Sequence, residues 1–188
     1  MFIESGLAEK EAVLVVAEKM CIAARTAPKT RGIDRIITAV LTEIDLEKLA
    51  AEMDALGHKH DEQFRTRNIR DAKSVRNSDA VVLIGTKTKP RGITFCSFCG
   101  FENCSETQQK GGHCAFDDID LGIALGSAVS IAADNRIDNR VMFSVGKTAM
   151  EMHLLGNDVN KILGIPLSVS GKNKYFDLGA FHPSTTGK

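Results

Sequence analysis

The chain has 188 residues, 43% of them hydrophobic and 26% charged, which suits one globular domain with a substantial core and is short for two. Lys plus Arg and Asp plus Glu both number 24, so a net charge of zero gives no global pull toward nucleic acid or an anionic membrane. No apolar run approaches the roughly eighteen residues of a membrane span, and without Trp and with one Tyr the chain has few stacking platforms for single-stranded nucleic acid.

The segment Met1-Phe2-Ile3-Glu4-Ser5 carries no positive cluster followed by an apolar block. It is not read as a secretory signal, and the expected location is the cytoplasm. Residues 4–27 have helical periodicity, with Leu7, Val13 or Leu14, Ala17, Met20 or Cys21 and Ala24 at three- and four-residue spacing. Pro28 ends that helix. Cys21 on the apolar face reads as a small buried hydrophobe rather than a reactive thiol. A polar, basic loop over residues 26–32 leads to a β-branched strand over 35–41. The acidic turn Thr42-Glu43-Ile44-Asp45 starts a second helix, which runs through Leu46, Leu49, Ala50, Met53 and Leu56 to Gly57. His58 and His60 follow in a charged turn and read as solvated rather than as ligands. Residues 62–77 form a basic helix with Arg65, Arg67, Arg70, Lys73 and Arg76, and with Phe64, Ile69, Ala72 and Val75 as its buried stripe. Its charges point in several directions, which favours a solvated face over a phosphate-binding patch.

Ala80-Val81-Val82-Leu83-Ile84-Gly85 is a continuous apolar run, as expected of a central strand covered on both faces. A basic loop over 86–92 leads into a cysteine-rich segment over 95–116, placed after this second strand. The acidic run Asp117-Asp118-Ile119-Asp120 then opens a long apolar helix, in which Gly122, Gly126 and Ala133 are expected to allow close packing. Residues 140–145 read as a third strand and Gly146-Lys147-Thr148 as the start of a short helix. A phosphate loop is discounted there, because Val141 stands where its upstream glycine belongs. The last strand spans 160–169, and Pro166 predicts that it lies at an edge or leaves the sheet there. The tail from Gly171 is polar, with mobile last residues expected. The sum is an α/β or α+β fold: a single domain over 1–188 with about four strands and five helices.

Four of the five cysteines, Cys96, Cys99, Cys104 and Cys114, form a C-x2-C-x4-C-x9-C pattern. Thiolates are soft ligands, and four of them can enclose one zinc ion or one iron–sulfur cluster. Gly100 would let the backbone approach a bulky cluster, and Gly111 and Gly112 would let the chain fold back to Cys114. Two disulfides or buried structural thiols are the competing readings, weakened by the expected reducing compartment. Phe95, Phe98, Phe101 and Phe116 are expected to form an apolar wall that restricts water. His113 adjoins Cys114 and reads as a loop residue that could replace a ligand.

The stretch Cys-Ser-Phe-Cys-Gly-Phe-Glu-Asn-Cys resembles the C-x-x-C-G-[Y/F]-x-x-C core of small 4Fe-4S electron-transfer domains. The gap before Cys114 is shorter than in most of those domains, and no proline follows it. A wider match takes in Asp120-Leu121-Gly122-Ile123-Ala124-Leu125-Gly126, Asp138-Asn139-Arg140-Val141-Met142-Phe143-Ser144-Val145-Gly146-Lys147 and Leu163-Gly164-Ile165-Pro166-Leu167-Ser168. With it the chain resembles the uncharacterised ferredoxin-domain-containing proteins of anaerobic prokaryotes. A fainter resemblance is to the nitroreductase flavoproteins, carried by Ala24-Arg25-Thr26-Ala27-Pro28-Lys29-Thr30 and by Leu163-Gly164-Ile165-Pro166. That second likeness implies a nitroreductase-like core and FMN, with Thr26, Lys29 and Arg31 as its contacts and a homodimer as the assembly. The paired arginines that begin that family's flavin-phosphate site are missing here.

Three functions are compatible with these residues. The first is a redox protein with a 4Fe-4S cluster on Cys96, Cys99, Cys104 and Cys114, exchanging electrons with a redox partner protein or a flavin. The second is a zinc-stabilised, non-catalytic binding module on the same four thiolates. The third is an FMN-dependent, nitroreductase-like oxidoreductase. No acid–base pair or activated nucleophile stands out, so catalytic residues are unassigned.

Overall fold

The computed structural model describes residues 2–176. In chain order its elements are α1 (Ser5–Thr26), β1 (Ile36–Leu41), α2 (Ile44–Gly57), α3 (Glu62–Arg76), β2 (Ala80–Thr86), α4 (Cys104–Gln109), α5 (Ala115–Asp134), β3 (Asp138–Asn139), α6 (Phe143–Glu151) and β4 (Lys161–Ser168). The four strands pair antiparallel in the order β1-β2-β4-β3, which makes this a mixed α/β domain with helices on both faces of the sheet.

Strand β2 is buried along its whole length, as its unbroken apolar run requires. Side chains alternate across a strand, so β2 feeds two cores. Ala80, Val82 and Ile84 pack with Val13, Ala17 and Met20 of α1 and Leu121, Ala124 and Ala128 of α5. Val81 and Leu83 pack with Leu49 and Met53 of α2, Val75 of α3 and Val145 and Ala149 of α6. Tyr175, in the stretch expected to be a polar tail, is fully buried in this second core. The expectation of mobile last residues falls outside the described residues from position 177 on. Among the described residues, no helix is long and apolar enough to cross a membrane.

Several elements differ from the sequence expectation. The third strand is only Asp138–Asn139, and α6 begins at Phe143, inside the stretch expected to be strand. Gly146 and Gly164 explain the helix. A Cβ on Gly146 would come within 1.8 Å of the Ile162 carbonyl oxygen, and one on Gly164 within 2.1 Å of Val145 Cγ1. Helix α6 thus lies directly on the backbone of β4. Pro166 does not put β4 at the edge, since β4 sits between β2 and β3. Its effect is local. Asp138 pairs with Ser168 and Met142 bridges Gly164, so Arg140 stands opposite Pro166. Pro166 has no N–H to give, and β3 breaks off there.

Six α-helices are present among the described residues, one more than expected, and the sixth is the short α4. Gly122 and Gly126 do not mediate close packing, because a Cβ at either would meet nothing within 4 Å. Leu7 and Ile69, assigned to buried stripes, are 52% and 42% exposed.

The glycines yield a paired prediction for urea denaturation. Gly146→Ala should lose about 3 kcal/mol, because α6 must move off β4. Gly126→Ala should gain about 0.5–1 kcal/mol from helix propensity alone. Equal effects at the two positions would mean that α6 does not rest on the β4 backbone.

Candidate metal centre

The chain leaves β2 at Thr86 and reaches the cysteine segment across Lys87–Ile93 with no regular structure. Two left-handed residues shape the start of that segment, Phe95 at φ 54° and Ser97 at φ 47°, a conformation rare outside glycine. The N–H of Gly100 donates to the Ser97 carbonyl at 2.9 Å, closing the turn that carries Cys96 and Cys99. Gly100 has φ 83°, and no atom lies within 4 Å of where its Cβ would stand. This is the open backbone that its place in the motif suggested.

Helix α4 starts at Cys104, and its N-terminus is built by side chains. Asn103 Oδ1 accepts from the Glu106 N–H at 3.0 Å, and Glu106 Oε2 accepts from the Glu102 N–H at 2.7 Å. These two bonds, a variant of the capping box in which Glu106 reaches the residue before the cap, fix the direction of the helix. The Asn103-x-x-Glu106 spacing was the available signal for α4, hidden among the cysteines. At the far end of the segment, Gly112 lies so close to the Phe101 ring that a Cβ would come within 2.4 Å of it. Cys114 is the N-cap residue of α5 and is buried.

Cys96, Cys99, Cys104 and Cys114 all line one pocket, together with Pro90, Arg91, Phe101, Thr107 and Phe116. All are free thiols, and Cys96, Cys99 and Cys104 are half-buried. Among the described residues, no three His, Cys, Asp or Glu side chains approach closely enough to hold a single metal ion. The expected aromatic wall is only half formed. Phe101 and Phe116 line the pocket, whereas Phe95 is fully exposed and Phe98 is 70% exposed. Phe98 stacks on Phe116 at 5.4 Å, so one of these aromatics bridges the pocket rim to solvent. His113 is exposed and does not line the pocket. His58 is exposed, His60 packs on Phe64, and neither lines the pocket.

The Thr107 hydroxyl lies 3.3 Å from Cys99 Sγ. That contact, with further help from the Phe101 N–H, holds the Cys99 thiol below its usual range.

Behind the pocket lies a charged network that sequence reasoning missed. The Arg91 side chain is 1% exposed, and its Nη2 pairs with Asp117 Oδ1 at 2.8 Å and Asp120 Oδ2 at 2.7 Å. Asp117 also pairs with Arg35 at 3.3 Å and accepts from the Lys89 N–H at 2.9 Å. Asp120 accepts from the Thr30 N–H at 3.0 Å and from the Thr30 hydroxyl at 2.8 Å. Two aspartates three residues apart on the buried face of an apolar helix were the signal, since buried carboxylates need cations.

The residues expected as flavin contacts, Thr26, Lys29 and Arg31, lie at the end of α1 and in the loop beside this network. The Lys29 ammonium donates to the carbonyls of Ala24, Arg25 and Ala27, closing the end of α1. The Thr26 hydroxyl donates to the Ile22 carbonyl at 3.0 Å. Arg31 is exposed and donates through Nη1 to the Arg91 carbonyl at 2.8 Å. The loop and the cysteine pocket are therefore neighbours through Arg91.

A family model described as "uncharacterized protein containing a ferredoxin domain" matches residues 110–178, a span that includes Cys114 and begins after the other three pocket cysteines. An uncharacterized protein of Archaeoglobus fulgidus is 42% identical over 177 residues, covering 90% of this chain and 93% of its own. The chain belongs to this family of uncharacterised ferredoxin-domain proteins. In fold it is similar to a nitroreductase family protein from Clostridium novyi NT, with TM-score 0.55 and 14% identity over 90% of this chain and 76% of that one. It is similar also to a BluB-like flavoprotein from Clostridium difficile 630, with TM-score 0.55 and 15% identity over 92% of this chain and 84% of that one. The nitroreductase-like core expected from the sequence is thus present.

The lowered thiol gives a measurable consequence. In metal-free, reduced protein, Cys99 should alkylate with iodoacetamide at lower pH than an ordinary cysteine. Thr107→Val should move that onset to higher pH and leave Cys104 unaffected, as read by mass spectrometry of the labelled peptides. An onset that stays in place would remove the hydroxyl as the cause.

Proposed function

We propose that this member of the ferredoxin-domain family is an iron–sulfur redox protein, in which Cys96, Cys99, Cys104 and Cys114 hold a 4Fe-4S cluster. The carrying observation is that these four thiols, spread over nineteen residues of sequence, line a single pocket. The family's description supports the same chemistry. Zinc is the weaker occupant. Zinc ribbons and knuckles pair two short C-x2-C hooks, whereas the x4 and x9 gaps after Cys99 give this chain only one. A cubane instead offers each thiolate a separate iron.

When bound, such a cluster supplies one-electron transfer. The protein's part lies in its own groups. Cys114 is the N-cap residue of the long helix α5, whose N-terminal end favours negative charge. Phe101, Phe116 and Pro90 keep one side of the pocket apolar, which limits water. The exposed rings of Phe95 and Phe98 leave the other side open to a redox partner protein. Exposed aromatic rings at the rim suit contact with such a partner protein.

The fold supports a second reading, an FMN-dependent oxidoreductase, because similar folds occur in proteins described as nitroreductases and flavoproteins. Of the candidate contacts, Thr26 and Lys29 already donate to the end of α1, which leaves Arg31 as the strongest phosphate partner.

Analysis of iron, sulfide, zinc and flavin in protein purified without oxygen separates these readings. About four iron and four sulfide per chain are expected. Cys114→Ala should lose most of that iron, and His113→Ala should lose none. A colourless protein with stoichiometric zinc would reject the cluster, and stoichiometric FMN would establish the second reading.

A further inference from the structure

Arginine has five N–H donors, two on each terminal nitrogen and one on Nε. In Arg91 the terminal nitrogens face four acceptors: the carbonyls of Ile33 at 2.7 Å and Thr30 at 3.5 Å, and the carboxylates of Asp117 and Asp120. Nε is left over. It is buried and has no hydrogen-bond partner among the described residues. Buried donors of a charged group are rarely left unpaired, because the lost hydration is not replaced. Arg91 also lines the four-cysteine pocket, between Pro90 and the cysteine segment. Its backbone is held as well, since its carbonyl accepts from Arg31 at 2.8 Å. The guanidinium thus has no freedom to find another partner.

We propose that Arg91 is a tuning residue of this site: its leftover Nε–H donates to a sulfur held in the pocket, and its fixed charge favours the reduced form. The inference rests on the cluster reading and goes beyond it, by assigning a residue outside the cysteine motif to the control of potential. A low-potential one-electron carrier protein gives up one electron and is oxidised by one unit. The site gains that electron and its net charge falls by one. No proton moves, because the guanidinium is protonated throughout. Hydrogen bonds to sulfur and nearby positive charge both stabilise the added electron. Asp117 and Asp120 offset part of the charge of Arg91, so the directional Nε–H carries the larger share of the effect.

The test uses the full chain, purified without oxygen and labelled with guanidino-15N arginine. After reduction with dithionite, pulsed EPR should show a 15N coupling that persists in Arg76→Lys, an arginine paired with Glu47 and Asp54 and absent from the pocket, and is lost in Arg91→Lys. The midpoint potential of Arg91→Lys should shift to a more negative value, while its iron and sulfide contents match the parent. Wild-type protein with its cluster intact but no arginine 15N coupling would overturn the proposal, as would an unchanged potential in Arg91→Lys. Should Arg91→Lys fail to fold, the coupling in the wild type decides alone. Wild-type protein without iron and sulfide would instead overturn the cluster reading, and this inference with it.

Discussion

A guanidinium sealed from water ties the site to the fold. Arg91 joins three stretches far apart in sequence: the loop after α1 through the Thr30 and Ile33 carbonyls, its own loop after β2, and α5 through Asp117 and Asp120. With Arg35 included, two cations meet two carboxylates, so the buried group is close to neutral. Burying such charges gives little net stability, because desolvation offsets most of the attraction. Its consequence is specificity. Once buried, the carboxylates cannot tolerate another arrangement, since removing one partner from such a network costs about 3–5 kcal/mol. The start of α5 is fixed by this constraint, and Cys114 is the N-cap of that helix.

The rest of the domain supplies a rigid base for the knot. The fully buried β2 runs between two apolar cores and delivers the chain to the Arg91 loop in a defined direction. Helix α5 is held from below by Leu121, Ala124 and Ala128, so its N-terminus cannot drift. The cysteine segment has few apolar anchors of its own. It relies on local devices: the left-handed Ser97, the Gly100 turn, the Asn103–Glu106 cap and the contact of Gly112 with Phe101. A pocket with one packed wall and one open rim results from that division of labour.

The legible parts of this chain were those carried by periodicity. The unbroken run at 80–85, the helical repeats of α1, α2 and α5 and the cysteine spacing each report a local pattern, and local patterns survive into the fold. The illegible parts depended on contacts made across the chain. Residues 140–145 have strand propensity, yet Gly146 and Gly164 let a helix lie on β4, and that tertiary contact overrides it. Asp117 and Asp120 read as ordinary acids at a helix start, because nothing nearby in sequence names Arg91 as their partner. Phe95 and Phe98 read as a wall from composition alone, while the left-handed backbone at Phe95 and Ser97 turns the loop outward.

The same network bears on how a flavoprotein-like fold relates to a cysteine site. A phosphate-binding loop needs free N–H groups and an uncommitted cation. In the loop after α1, the Thr30 N–H and hydroxyl are taken by Asp120, and the Lys29 ammonium is taken by the end of α1. An internal carboxylate therefore takes the donors of this loop. Removing Asp120 would leave Arg91 with one fewer acid and loosen the N-terminus of α5, which carries Cys114 as its cap. The loop after α1 and the wall of the cysteine pocket are thus coupled through one aspartate, which bonds Thr30 on one side and Arg91 on the other.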